Sequence, residues 1–316
     1  LGLLPHASAD YIHWVDFRLS APVLRSALEL DMASQGGEQP LDWIDILALA
    51  AAWRGGTGVT VADTQRAAQA LRGDTPPERL PGMAGRYFSY YREAYGAALG
   101  GLAGHFAIRR TDPQTGEAEW IPAYGLKAFS PIAAGYPWSH YPDFGAQRSY
   151  GYARPHLGND ILGALGTPIC AVEGGTVEAL GWNRYGGWRI GIRSDDRKRY
   201  YYYAHLRKDA PYAEGLAVGQ RVQAGEVIGF MGRTGYSAQE NVNNIETVHL
   251  HFGLQLIFDE SQKECDSEIW IDVYPIIELL ASHCSSVARD PQTGRWERLY
   301  PYCDLDAEPL RSAAAR

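Results

Sequence analysis

The stretch Val248-His249-Leu250-His251-Phe252-Gly253-Leu254 decides how this chain is read. Apolar residues alternate through it and continue to Leu256, which is the pattern of a β-strand. Alternate residues of a strand share a face, so His249 and His251 project to the same side, with Cα atoms about 6.5–7 Å apart. That spacing lets both imidazoles bind one metal ion. It equally lets one bind the ion while its neighbour reaches the substrate or water held there. A single His-x-His is weak evidence, because a half-exposed strand carries such pairs by chance.

Two upstream stretches change its weight. They are His156-Leu157-Gly158-Asn159-Asp160 and Tyr203-Ala204-His205-Leu206. The chain has 316 residues and only 9 histidines, and four of them fall in these three short motifs beside one aspartate. The remaining ones, His6, His13, His105, His140 and His283, have no metal-like spacing and read as structural or surface residues.

Composition excludes several function classes. The net charge is −8 and no basic face is evident, which argues against nucleic acid as a partner. The cluster Arg193, Arg197, Lys198, Arg199 encloses Asp195 and Asp196 and reads as a solvated hairpin turn. The longest apolar run, residues 44–53, contains Asp45 and falls short of the ~20 residues a membrane span needs. The first residue is Leu1 rather than Met, which leaves room for an upstream signal or anchor. Cys170 reads as a buried thiol. Cys265, Cys284 and Cys303 crowd the C-terminal end, where the expected disulfide is Cys284 with Cys303.

Periodicity divides the chain. Residues 1–103 are expected to be helical. Val23, Leu24, Leu28 and Leu30 mark one helix, Trp43, Ile44, Leu47, Ala48 and Ala51 a second. Asp63 is placed to cap a third, and a fourth runs from about Ala84 past Tyr87, Tyr91 and Tyr95 to Gly100-Gly101. Residues 104–149 read as a connector with a β-hairpin closed by Asp112-Pro113-Gln114-Thr115-Gly116. The same turn chemistry recurs at Asp290-Pro291-Gln292-Thr293-Gly294. Over residues 150–285 helical periodicity gives way to short β-rich runs separated by glycine, expected to form an antiparallel all-β domain. Within it Trp188 to Arg193 and Tyr200 to His205 form a hairpin, with Tyr201, Tyr203 and His205 on one face. Pro275 fits the first turn of a C-terminal helix capped by Asp272, and residues 286–316 form a tail. The fold class is α+β.

The ordered set His-x-Gly-x-Asp, His-Leu, His-x-His, together with Gly166-Thr167-Pro168-Ile169 and Gly219-Gln220-Arg221-Val222, resembles the lysostaphin or LytM-type zinc metallopeptidases over roughly residues 150–258. The resemblance implies a metallopeptidase domain of barrel-sandwich-hybrid type that holds Zn2+ through His156, Asp160 and His251. It implies His205 and His249 as the two catalytic histidines, and Tyr150 as the residue steadying the oxyanion, with Tyr152 near enough to compete. It implies an endopeptidase acting on peptidoglycan stem or cross-bridge peptides in an extracytoplasmic setting. One departure is the stretch 236–248, longer than compact members carry. It reads as a surface loop or as a cleft wall. A segment from Tyr124 to Arg148 lying in the cleft would make the site latent.

The residue chemistry agrees with that resemblance. Two imidazoles and a carboxylate form a common catalytic zinc set that leaves a position open for water. An imidazole whose ordinary pKa is about 6.5 can take a proton and return it to a leaving amine. The sequence has no His-Glu-x-x-His, so a helical zinc site is excluded. A non-catalytic scaffold that binds wall peptide or a partner is the main alternative, yet all five motif positions are filled. In a D-Ala-D-Ala carboxypeptidase type the first His and Asp stand further apart. A lipoyl- or biotin-carrier domain needs a lysine at a turn that here reads Phe230-Met231-Gly232-Arg233. Trp182, Tyr185 and Trp188 are candidates for a groove lining, or for core and rim aromatics.

Overall fold

Local signals start and stop the first helices. The computed structural model describes residues 11–149, 153–263 and 267–307. Helix α1 (Ala21–Ser34) buries Val23, Leu24, Ala27 and Leu28. Helix α2 (Trp43–Arg54) is capped by Asp42, whose side chain accepts from the Ile44 N–H, and ends at Gly55 in the left-handed conformation. Its run Ile46 to Ala52 is fully buried, so α2 is the central helix of this part. Helix α3 (Val61–Leu71) starts one turn earlier than Asp63 suggests. Thr60 is the N-cap, and Asp63 is the third helical residue, reaching back to complete a capping box. Helix α4 (Met83–Leu99) presents Phe88, Tyr95 and Leu99 to the core.

Strands then follow: β1 (Ala103–Thr111), β2 (Ala118–Leu126), β3 (Trp138–His140), β4 (Gln147–Ser149), β5 (Ala153–Pro155) and β6 (Asn159–Gly163). Next come β7 (Pro168–Cys170), β8 (Gly175–Asn183), β9 (Gly187–Ser194), β10 (Arg199–Ala204), β11 (Arg221–Val222) and β12 (Val227–Phe230). The last are β13 (His249–Leu256), β14 (Ile269–Trp270), helix α5 (Tyr274–Leu280), β15 (Val287–Arg289), β16 (Trp296–Arg298) and β17 (Tyr302–Asp304). An eight-stranded antiparallel sheet runs β11-β8-β9-β10-β13-β6-β3, with β14 added beside β13. The connector thus supplies an edge strand, β3, to that sheet. The stretch expected as a tail supplies the β15–β16 hairpin and β17, which pairs with β1.

Both Asp-Pro-Gln-Thr-Gly turns form by one mechanism. Asp112 Oδ1 accepts from the N–H groups of Gln114 and Thr115, and Asp290 Oδ1 accepts from those of Gln292 and Thr293. Asp272 accepts from the Tyr274 N–H at the start of α5. The expected Cys284–Cys303 disulfide is absent: both residues are thiols, Cys284 half-exposed and Cys303 buried in β17.

Alternation along β10 and β13 separates core from cleft. Tyr201, Tyr203, Leu250, Phe252 and Leu254 are buried on one face of the sheet. Tyr202, Ala204, His249 and His251 lie on the other, where the Tyr202 ring meets that of His251 at 5.9 Å. The core face joins the helices in one hydrophobic cluster. A buried cation reinforces that junction. Arg199 is 1% exposed and donates to the carbonyls of Gly96 and Ala97 at the C-terminal end of α4, where the helix dipole favours positive charge. Glu173 accepts from Arg199 Nε at 2.7 Å and from the Tyr201 hydroxyl at 2.6 Å.

Candidate active site

Strand register carries two of the metal-donor candidates. His251 on β13 stands opposite Asp160 on β6 and opposite Ala204 on β10. His156 lies just before β6, four residues from Asp160. The turn between them needs Gly158: a Cβ there would sit 2.6 Å from His251 Cε1 and 2.7 Å from the Phe252 carbonyl. The donor atoms converge. His156 Nε2 is 2.9 Å from His251 Nδ1 and 3.0 Å from Asp160 Oδ1, and His251 Nδ1 is 3.2 Å from the same oxygen. A tetrahedral ion with bonds of about 2.0–2.1 Å holds its ligand atoms about 3.3 Å apart, so this trio fits such an ion with little movement. Among the described residues these three are the one group of histidine, cysteine or carboxylate side chains so arranged.

The two other motif histidines flank the trio. Plain alternation would turn His205 into the core with Tyr203, as the sequence pattern suggests. Instead His205 takes φ +62°, in the left-handed region, and the ring swings to the cleft. Its ring centre is then 4.8 Å from that of His249 and 5.9 Å from that of His251. His205 Nδ1 donates to the Thr234 carbonyl at 2.9 Å, and His249 Nδ1 donates to the Thr247 carbonyl at 2.9 Å. A carbonyl oxygen only accepts, so each Nδ1 carries the proton and each Nε2 keeps a lone pair. His249 Nε2 lies 3.7 Å from Asp160 Oδ1.

Behind the donors stands a layer that motif reading missed. His156 Nδ1 meets the Asp143 carboxylate at 3.1 Å, which directs its Nε2 lone pair toward the other donors. Arg148 Nη2 donates to Asp143 Oδ2 at 2.8 Å and to Asp160 Oδ2 at 3.0 Å. Asp160 is thus held through one oxygen and offers the other. Arg148 Nη2 also lies 3.5 Å from His156 Nδ1, so it braces both carboxylates and that imidazole from the Nδ1 side. Asn159 Nδ2 donates to Asp143 Oδ1 at 2.9 Å, and its Oδ1 meets His140, which in turn meets Glu278 at 2.8 Å. Asp143 lies in a loop and Arg148 on the three-residue strand β4, too short to show a period, so their only signal was charge close before the first motif.

Electrostatics suit these roles. Burial pushes the Asp160 carboxyl up, but hydrogen bonds from His156 and His251 outweigh it and hold the group well below the usual carboxylate range. Burial, aided by the neighbouring His249 and His251, holds His205 well below the ordinary imidazole value. Burial also lowers His251, against the pull of Asp160. Both shifts favour the neutral form of His205 and His251, the form a metal donor or a base needs.

The stretch 236–248 forms a wall of the cleft. The Tyr236 ring lies 5.8 Å from that of His205, and Asn244 Nδ2 donates to the Tyr236 carbonyl. Asn241 Oδ1 accepts from Trp188 Nε1 and from the Asp209 N–H, both at 2.9 Å. Trp182 Nε1 donates to the Ser237 carbonyl, so Trp182 and Trp188 support this loop from beneath. Tyr185 lies under the guanidinium of Arg154 at 4.6 Å. Tyr150 and Tyr152 lie outside the described residues.

Two histidines and an aspartate converging on one point, with two further imidazoles beside them, form a group that could hold a metal ion. Residues 154–264 match the model of peptidase family M23, and this part of the chain is a peptidase M23 domain. The chain is 40% identical over 130 residues to the L-Ala--D-Glu endopeptidase of Bacillus subtilis (strain 168), covering 41% of this chain and 38% of that protein. It is 37% identical over 98 residues to lysostaphin of Staphylococcus simulans, covering 31% of this chain and 17% of that protein. The matched stretch therefore spans well under half the length of either relative. The solved catalytic domain of the antimicrobial peptidase lysostaphin from Staphylococcus simulans is 29% identical, with a TM-score of 0.34, covering 45% of this chain and 92% of that one. Among the described residues no helix is long and apolar enough to cross a membrane.

Proposed function

We propose that this protein is a zinc-dependent endopeptidase that hydrolyses peptide bonds in peptidoglycan stem or cross-bridge peptides outside the cytoplasm. The observation that carries the proposal is the convergence of His156 Nε2, Asp160 Oδ1 and His251 Nδ1, with the free Nε2 atoms of His205 and His249 alongside. The zinc ion, when bound, polarises the scissile carbonyl and lowers the pKa of water toward about 7. His156, Asp160 and His251 hold it. His205 and His249, anchored through Nδ1, accept a proton from the attacking water at Nε2 and pass it to the leaving amine. Asp143 and Arg148 keep the His156 ring and the Asp160 carboxylate in place. Tyr150 is assigned the oxyanion role by resemblance. The wall substrate is supported by the relatives, which differ in the bond their names specify, L-Ala–D-Glu in one and glycyl-glycine in another.

The test is mass spectrometry of soluble fragments released from purified peptidoglycans of several cross-link types, with His205→Ala as control. Fragments released only by the unaltered protein identify the bond cut. Release from no wall type, with zinc bound at one equivalent, would leave a scaffold that holds wall peptide without cutting it.

A further inference from the structure

We propose that the cleft beside the metal donors contains a carboxylate-binding subsite built from Arg154 and Arg189, so that the substrate is a peptide carrying a free carboxylate near the scissile bond, not a neutral glycine strand. The inference rests on the endopeptidase function proposed above and narrows its substrate class.

Arg154 is fixed at the edge of the active site. Its guanidinium lies 4.6 Å over the Tyr185 ring and 5.5 Å from the Tyr236 ring, and Nη2 donates to the Tyr236 hydroxyl at 3.1 Å. Tyr236 in turn lies 5.8 Å from His205. One tyrosine ring therefore separates the cation from an imidazole assigned to proton transfer. Arg189 belongs to the floor. It stands opposite Gly181 in the β8–β9 ladder, two residues from the Asn183–Gly187 pair, so it shares a face with Asn183. Asn183 donates to the Tyr202 hydroxyl, which lies on the cleft face. Tyr202 stands opposite Gly191, two residues from Arg189, so Arg189 shares the cleft face of Tyr202.

Neither cation is neutralised. Among the described residues no carboxylate forms an ion pair with Arg154 or Arg189, and Arg189 Nε is buried with no hydrogen-bond partner. Glu240 on the flanking loop is exposed and pairs with neither. Four partly or fully buried arginines, Arg148, Arg193, Arg199 and Arg221, each meet a carboxylate at 2.7–3.0 Å, and Arg207, Arg233 and Arg298 donate to backbone carbonyls instead, away from the metal-donor cleft. An unpaired guanidinium half-withdrawn from water is costly, and a ligand carboxylate removes that cost through two parallel N–H···O bonds. A chain of net charge −8 that leaves two cations unpaired at its cleft is built for an anionic guest.

The test uses two probes, a synthetic stem peptide with its carboxylates free and the same peptide fully amidated. Binding is measured by calorimetry on the zinc-loaded His205→Ala chain, and cleavage on the unaltered zinc-loaded chain. The expected result is a preference of about tenfold or more for the free-carboxylate peptide. Arg154→Gln with Arg189→Gln should erase that preference without weakening binding of the amidated peptide, while Arg154→Lys with Arg189→Lys should retain part of it. Zinc content and circular dichroism establish that each variant is folded. Equal affinity for the two probes, binding of neither, or a preference that survives the double glutamine variant would overturn the subsite. Preferential binding without any cleavage would keep the subsite and remove the endopeptidase function. Cleavage without preference would do the reverse.

Discussion

The two halves of the active site are built on different kinds of backbone. The donor half rests on ladder register. His251 and Asp160 are opposed residues of adjacent strands, and His156 is tied to them by the tight turn at Gly158. The wall half rests on irregular backbone. His205, Tyr236 and Asn241 all have positive φ, and their positions are set by bonds to carbonyls and side chains of other loops. A ladder fixes spacing to fractions of an ångström and tolerates little change. A wall of pinned loops can change shape without disturbing the donor group beneath it. Metal binding and substrate choice should therefore be separable by mutation.

The largest effect expected is on the donor half. Asp160→Ala removes one proposed ligand and the shared anchor of His156 and His251. Turnover should fall to background, and equilibrium dialysis should show zinc lost with it. Retention of full zinc occupancy would break the assignment of that half. His205→Ala should do the opposite on the metal side. Zinc content stays at the unaltered level while kcat/KM falls about 10²–10⁴-fold, the usual scale of general acid–base catalysis. If zinc leaves with the imidazole, His205 is a ligand and the two halves are not distinct.

The next effect lies behind the donors. Arg148→Ala frees Asp160 Oδ2 and one side of Asp143, so zinc affinity should weaken about 10–100-fold, as outer-layer changes at metal sites do. Competition with a chelator measures this directly, and saturating zinc should restore most of the activity. Unrestored activity would place Arg148 in the chemistry itself. A pH profile sharpens the other half. Burial lowers the pKa of His205, so its neutral, proton-accepting form persists as pH falls below 6.5. The acid limb of kcat/KM should then lie below pH 6.5, and a limb above that value would assign the base elsewhere.

The same contrast explains what the sequence made legible. The His-x-His pair was readable because period-two alternation places both rings on one face, and β13 obeys it. The helices were readable from apolar spacing, although the start of α3 was not, because Asp63 and Thr60 share one capping box and either alone looks like the cap. The motif points His205 to the cleft, where the structure has it, but alternation alone gives the wrong face. A single left-handed residue reverses a side chain, and nothing in Tyr203-Ala204-His205-Leu206 announces it. Asp143, Arg148 and Asn159 were invisible for a related reason: they act through tertiary contact, and tertiary contact leaves no period. The Cys284–Cys303 pairing failed because nearness in sequence says little about the Cα separation a disulfide requires.

The smallest effect expected is the most discriminating for the wall. Asn241 holds the loop through the Trp188 indole and the Asp209 backbone, and it does so at φ +61°. Asn241→Ala loses both contacts and places a Cβ in the left-handed region, at about 1–2 kcal/mol for the backbone alone. Asn241→Gly loses the same contacts but adopts that φ freely. If the side chain shapes the wall, both variants should raise KM a few-fold, with kcat and zinc content unchanged, because Tyr236 and the rim beside His205 loosen together. If only the turn matters, glycine should behave like asparagine while alanine alone is impaired. The first outcome makes the long loop part of substrate binding. The second reduces it to a surface loop that happens to cross the cleft.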